Sequence, residues 1–97
     1  MKTLFDGSLK STASVKFCAW LKASRKALRP KMSLRNAGEL IKAPHTLPSK
    51  IENGNRRIDI VEYVIYCKAI GLDPLEGLKV IQDSLDDVDI EGLSVPN

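Results

Sequence analysis

At 97 residues, 43% of them hydrophobic, the chain is long enough for one globular core and too short for two. No run approaches the roughly 20 apolar residues of a membrane-spanning helix, and MKTLFDGSLK lacks the apolar stretch of a secretory signal, so a cytoplasmic protein with no membrane partner is expected. The net charge of +3 conceals a segregation: residues 1–57 carry +10 and residues 58–97 carry −7, a pattern suited to a basic face that meets nucleic acid or an anionic protein.

Caps and periodicity predict helices throughout. Ser11, Thr12 or Ser14 starts the first, which runs to about Leu28 with Val15, Cys18, Ala19, Trp20 and Leu21 facing inward, and Pro30 ends it. Ser33 caps a second, LRNAGELIK, whose Leu34, Ala37, Leu40 and Ile41 form an apolar stripe. A third lies within PHTLPSKIENG, residues 44–54, and closes on Asn53-Gly54. Pro48 lacks the N–H that a helix interior needs and disfavours helical geometry at Leu47, so this helix is expected to be short or distorted at its start, with His45 and Thr46 presented from a turn. Asp59 and Glu62 open a fourth, IVEYVIYCKAI, apolar on most sides and therefore expected to be the central, most buried element, with Gly71 as its stop. Asp73-Pro74 opens a fifth, with Leu75, Leu78, Val80 or Ile81, and Leu85 inward. Strand signals are weak, and a compact all-α domain follows. The first ten residues and the segment after Leu85 are expected to be the least ordered, although Val88, Ile90 and Leu93 leave room for a short strand.

Catalytic chemistry finds little support. Cys18 and Cys67 sit in apolar runs and read as buried thiols rather than a disulfide. His45 is the only histidine, so no His/Cys metal constellation can form, and no metal or other cofactor is expected. There is no Gly-rich phosphate loop, no nucleophile elbow and no carboxylate pair beside a base. Asp86, Asp87 and Asp89 lack the turn glycine and terminal glutamate of a calcium loop and read as part of a solvated acidic tail. The chain is not expected to be an enzyme.

Two short elements, SLRNAGELIK and the glycine-ended third helix, follow each other across only Ala43-Pro44, as in a helix-turn-helix. Residues 33–74, SLRNAGELIKAPHTLPSKIENGNRRIDIVEYVIYCKAIGLDP, resemble the Xre/Cro, lambda-repressor-like family of DNA-binding domains, most strongly in SKIENGNRRID and YCKAIGLDP. The resemblance implies a five-helix lambda-repressor-like domain over residues 13–85, between an N-terminal arm (1–12) and an acidic C-terminal tail (86–97). It also implies a homodimeric bacterial or phage transcriptional regulator, commonly a repressor, on a pseudo-palindromic operator in double-stranded DNA.

By position, the resemblance assigns base contacts to His45, Thr46, Ser49 and Lys50. It assigns phosphate contacts to Asn53, Asn55, Arg56 and Arg57 after the third helix, and to Ser33 and Arg35 at the start of the second. Ile51 matches a buried position and Glu52 a structural acid. Four departures stand out. Leu34 replaces a common glutamine, Lys42 the usual turn glycine, and Pro48 intrudes. The connection RPKM is longer than usual and brings Arg29 and Lys31 as further phosphate contacts. An antitoxin whose acidic C-terminal part binds a basic toxin, a restriction-system controller, or a helix-turn-helix reused as a protein-interaction module are the alternatives. Apolar candidates for the dimer face are helix five with the tail, or the arm around Leu4 and Phe5.

Overall fold

The computed structural model describes residues 3–85, and every regular element among them is helical. A 3-10 turn at Ser8–Lys10 precedes α1 (Thr12–Ala27), α2 (Leu34–Leu40), α3 (Thr46–Glu52), α4 (Ile60–Ile70) and α5 (Pro74–Ser84). The expected tail, its acidic residues and its possible strand lie outside the described residues. No described helix is long and apolar enough to cross a membrane.

The helix starts follow from local chemistry. The Ser11 side chain accepts the Ser14 N–H at 3.2 Å. Ser33 and Asn36 form a reciprocal capping box, with Asn36 N–H donating to Ser33 Oγ at 3.0 Å. Asp59 and Glu62 form another, at 2.7 and 3.0 Å. Asp73 accepts the Leu75 N–H at 3.0 Å, with Pro74 in the first turn where its missing donor costs nothing. Each such cap contributes about 0.5–2 kcal/mol. Gly71, at φ 95°, supplies the left-handed residue that ends α4.

Helix α1 packs against α3 and α5, and α4 against α2 and α5, around a core of Leu21, Ala37, Ile51, Tyr63, Tyr66, Cys67 and Ile70. Phe17 ties the aromatic side together, stacked near Trp20 with centroids 6.2 Å apart and edge-on to Tyr63 at 5.3 Å. The start of the chain is anchored by polar bonds: Lys10 Nζ donates to the Gly54 carbonyl at 3.1 Å, and Arg57 donates to Ser8 Oγ at 3.1 Å.

On four helices the observed burial departs from what hydropathy predicts. On α1, Val15 and Ala19 are exposed, and the buried arc runs through Ala13, Leu21 and Arg25 with Phe17, Trp20 and Leu28 half-buried. A cation inside the buried arc rotates the apparent apolar stripe away from its true centre. On α5, Leu75 is 69% exposed, Leu78 is 37% exposed and lines a groove with Phe17, Tyr63 and Ile81, and Val80, Ile81 and Leu85 are half-buried. The inward face is centred on Gly77, where a Cβ would collide with the Tyr63 hydroxyl and with Trp20 Cζ3, so close approach rather than side-chain burial sets the helix phase. Finally, α4 is not enclosed on all sides. Tyr63, Tyr66, Cys67 and Ile70 face the core, but Ile60, Val61 and Ile65 are exposed. On α2, Leu40 is likewise half exposed rather than part of an inward stripe.

Both cysteines are free thiols. Cys67 is fully buried, whereas Cys18, expected to be buried, is half-buried and donates to the Ile51 carbonyl at 3.3 Å. Burial pushes both thiols above their ordinary pKa.

Candidate nucleic-acid interface

Pro48 determines how α3 begins. Its ring nitrogen has no hydrogen to offer Pro44, and the Leu47 N–H takes that carbonyl instead at 3.0 Å, a tighter turn than the helix that follows. The Ser49 N–H then reaches the His45 carbonyl at 3.3 Å. The helix is short, as expected, but Thr46 is its first residue rather than part of a turn, and Leu47 is helical despite the proline after it. His45 stands at the N-cap with near-helical angles, φ −62° and ψ −18°, and makes no side-chain cap bond.

With successive residues about 100° apart, the seven residues of α3 divide cleanly. Leu47, Pro48, Ile51 and Glu52 point to the interior, and Thr46, Ser49 and Lys50 share the opposite arc with Asn53 just beyond the helix. Thr46, Lys50 and Asn53 are exposed, and Ser49 is half-buried and held by Asn53 Nδ2 at 3.4 Å. All four residues assigned to base contact by position, His45 included, therefore lie along one edge and its N-terminal end.

The turn before α3 carries strain. Ala43 N–H donates to the Gly38 carbonyl at 2.9 Å and Lys42 N–H to the Glu39 carbonyl at 3.1 Å, the paired bonds of a Schellman close. That close needs a left-handed residue at its pivot, and Lys42 supplies it at φ 58°. A non-glycine residue there costs about 1–2 kcal/mol. Lys42→Gly is expected to raise the unfolding free energy by up to about 1 kcal/mol, the relieved strain being offset by the entropy glycine adds to the unfolded chain. Denaturant titration of the two proteins checks it. The close approach of the two helices depends on Gly38, where a Cβ would lie 2.7 Å from the Ala43 carbonyl oxygen.

Behind α3, one ion pair fixes its position. Arg25 Nε donates to Glu52 Oε2 at 2.6 Å and Nη2 to Oε1 at 3.1 Å, with both side chains under a tenth exposed. Arg25 Nη1 also donates to the Met32 carbonyl at 2.8 Å, so one guanidinium joins α1, α3 and the connection to α2. The Glu52 carboxylate holds that guanidinium above its usual pKa although burial works against it. The Tyr66 hydroxyl is buried without a hydrogen-bond partner among the described residues. Burial first and Glu52 second push its pKa up to about 12, with Arg25 acting in the opposite direction.

The positions assigned to phosphate contact occupy the flanks. Ser33 is half-buried, its hydroxyl occupied by Asn36 at 2.8 Å, so it serves first as the α2 cap. Arg35, in the first turn of α2, and Lys31, in the preceding connection, are exposed. Asn55, Arg56 and Arg57 follow α3 and are exposed as well. Arg56 donates to the Arg57 carbonyl at 2.8 Å and lies 3.5 Å from Glu62. Arg29 turns back to the carbonyls of Lys26 and Leu28 at 3.0 and 2.8 Å.

Arg25 and Gly38 are the structural supports that sequence reading missed. A signal existed for Arg25, since it stands four residues after Leu21 and three before Leu28 on the face those leucines define. Gly38 offers no hydropathy signal. No known protein family, characterised protein or solved structure matches the chain.

Proposed function

We propose that the chain is a sequence-specific DNA-binding transcriptional regulator in which α2 and α3 form a lambda-repressor-like helix-turn-helix and α3 enters the major groove. The observation that carries the reading is the division of α3. Its polar residues stand together on the outer arc, and its only acid, Glu52, is turned inward and neutralised by Arg25. The surrounding charge supports it. Among residues 3–57, eleven lysines and arginines are exposed against two exposed acids, Asp6 and Glu39. Such an excess of exposed cations in this part of the chain favours the phosphate backbone as a partner.

In this arrangement Lys50 donates to guanine O6 or N7, and His45, Thr46 and Ser49 reach base edges or nearby phosphates. Arg35, Lys31, Arg56 and Arg57 grip the backbone, with Asn53 and Asn55 donating to phosphate oxygens. Two protomers on half-sites about 34–36 Å apart read a pseudo-palindrome. Equilibrium binding of two variants tests the division of labour. Lys50→Ala is expected to cost about 1–3 kcal/mol on the preferred duplex and almost nothing on random duplex. Arg35→Ala is expected to weaken both equally. Equal losses for Lys50→Ala on both duplexes would remove base reading from α3.

A further inference from the structure

Helix α4 has an apolar face that nothing among the described residues covers. Of its eleven residues only Glu62 and Lys68 are charged. The core takes one arc, and on the other side Ile60, Val61 and Ile65 are 60%, 64% and 57% exposed, with Val64 between them. A helix that is apolar all round belongs in an interior, and half of this one has none among the described residues.

We infer that the outer face of α4 is the homodimer interface, packed antiparallel against α4 of a second copy about a two-fold axis. The inference rests on the DNA-binding reading for its biological use, but its physical grounds are separate. The first is charge. Glu62 stands in the first turn of α4, where it also meets Arg56 at 3.5 Å, and Lys68 in the last turn, and Lys68 makes no ion pair among the described residues. A parallel pair would set like charges side by side. An antiparallel pair sets each Lys68 toward the acidic end of the other helix and opposes the two helix dipoles. The second is shape. A two-fold contact requires the same patch to present both ridge and hollow. Val61 and Ile65, one turn apart, form the ridge, and along its edge Ile65 borders a cavity of about 170 Å³ whose lining includes Ile41, Leu47 and Ile58 together with Arg56 and Glu62. The face is thus complementary to itself in both charge and relief, which commits it to a second copy of this chain.

Sedimentation of the full chain without DNA tests the inference, with circular dichroism as the check on folding. The wild-type protein is expected at twice the mass of one chain. Val61→Glu buries an unpaired carboxylate in the interface and is expected to weaken association by roughly 100-fold or more, giving single-chain mass with unchanged helicity. Lys68→Glu replaces attraction by repulsion and is expected to weaken association by roughly tenfold. This second variant decides the matter if Val61→Glu does not fold. Leu75→Glu, on the exposed side of α5, is expected to remain dimeric. A monomeric wild type, a dimeric Val61→Glu, or a Leu75→Glu that dissociates overturns the inference. Binding of random duplex by the same proteins separates the two readings: a dimer through α4 that ignores DNA contradicts only the function, and a DNA-binding monomer contradicts only the interface.

Discussion

Glu52→Ala is expected to lower the unfolding free energy by about 3–5 kcal/mol, the loss typical when one member of a buried ion pair is removed and the other stays charged. Arg25 would keep the Met32 carbonyl and lose both carboxylate bonds in a site where its side chain is only 7% exposed. A domain of this size has about 5–15 kcal/mol in total, so the variant would sit close to its folding threshold at room temperature. The complementary variant locates the cause. Replacing both partners, Arg25→Met with Glu52→Leu, is expected to recover most of the loss, because the pair's own attraction is largely offset by the desolvation of its two charges. Recovery stays incomplete because the Met32 carbonyl loses its donor. Denaturant titration of wild type, single and double variants provides the cycle. A single variant within about 0.5 kcal/mol of wild type would mean that the ion pair does not anchor α3.

Binding to random duplex DNA is expected to fall about 10⁴-fold as salt rises from about 50 to about 200 mM. The magnitude comes from the cations placed against phosphates. Lys31, Arg35, Arg56 and Arg57 are exposed, and the proposed dimer would bring eight such cations, for which log K should fall with log salt at a slope of about −7. Arg56 must leave Glu62 to take part, but that contact is long and exposed, so little opposes the exchange. Removing Arg56 and Arg57 together should reduce the slope by about four in the dimer and leave the preferred sequence unchanged. Fluorescence anisotropy across a salt series measures both. A flat salt response with weak binding would contradict a phosphate-gripping surface and favour a module that binds protein.

The parts of the fold that are legible in sequence are those decided within a few residues. Ser11, Ser33, Asp59 and Asp73 cap helices through bonds to residues two or three positions on, so four starts could be read without knowing what the helices pack against. The outward set on α3 is equally local, since Leu47 and Ile51 are one turn apart and leave Thr46, Lys50 and Asn53 on the other side. Lys42 was visible only as a lysine where the resemblance asks for a turn glycine, and the structure places it in the left-handed region.

What was not legible depends on distant partners. The face of α1 is fixed by Arg25, whose burial makes sense only once Glu52, 27 residues away, is beside it. The face of α5 is fixed by Gly77, which registers on no hydropathy scale because the contact is the absence of a side chain. For α4, an all-round apolar pattern predicts burial without saying what provides the cover, and the described residues cover one side.

Selection of binding sites from a randomised duplex pool at near-physiological salt, with wild type and Lys50→Ala in parallel, tests whether the arc of α3 reads base sequence. The wild type is expected to enrich an inverted repeat, altered or lost with Lys50→Ala. A folded protein that enriches no sequence would contradict base reading by α3.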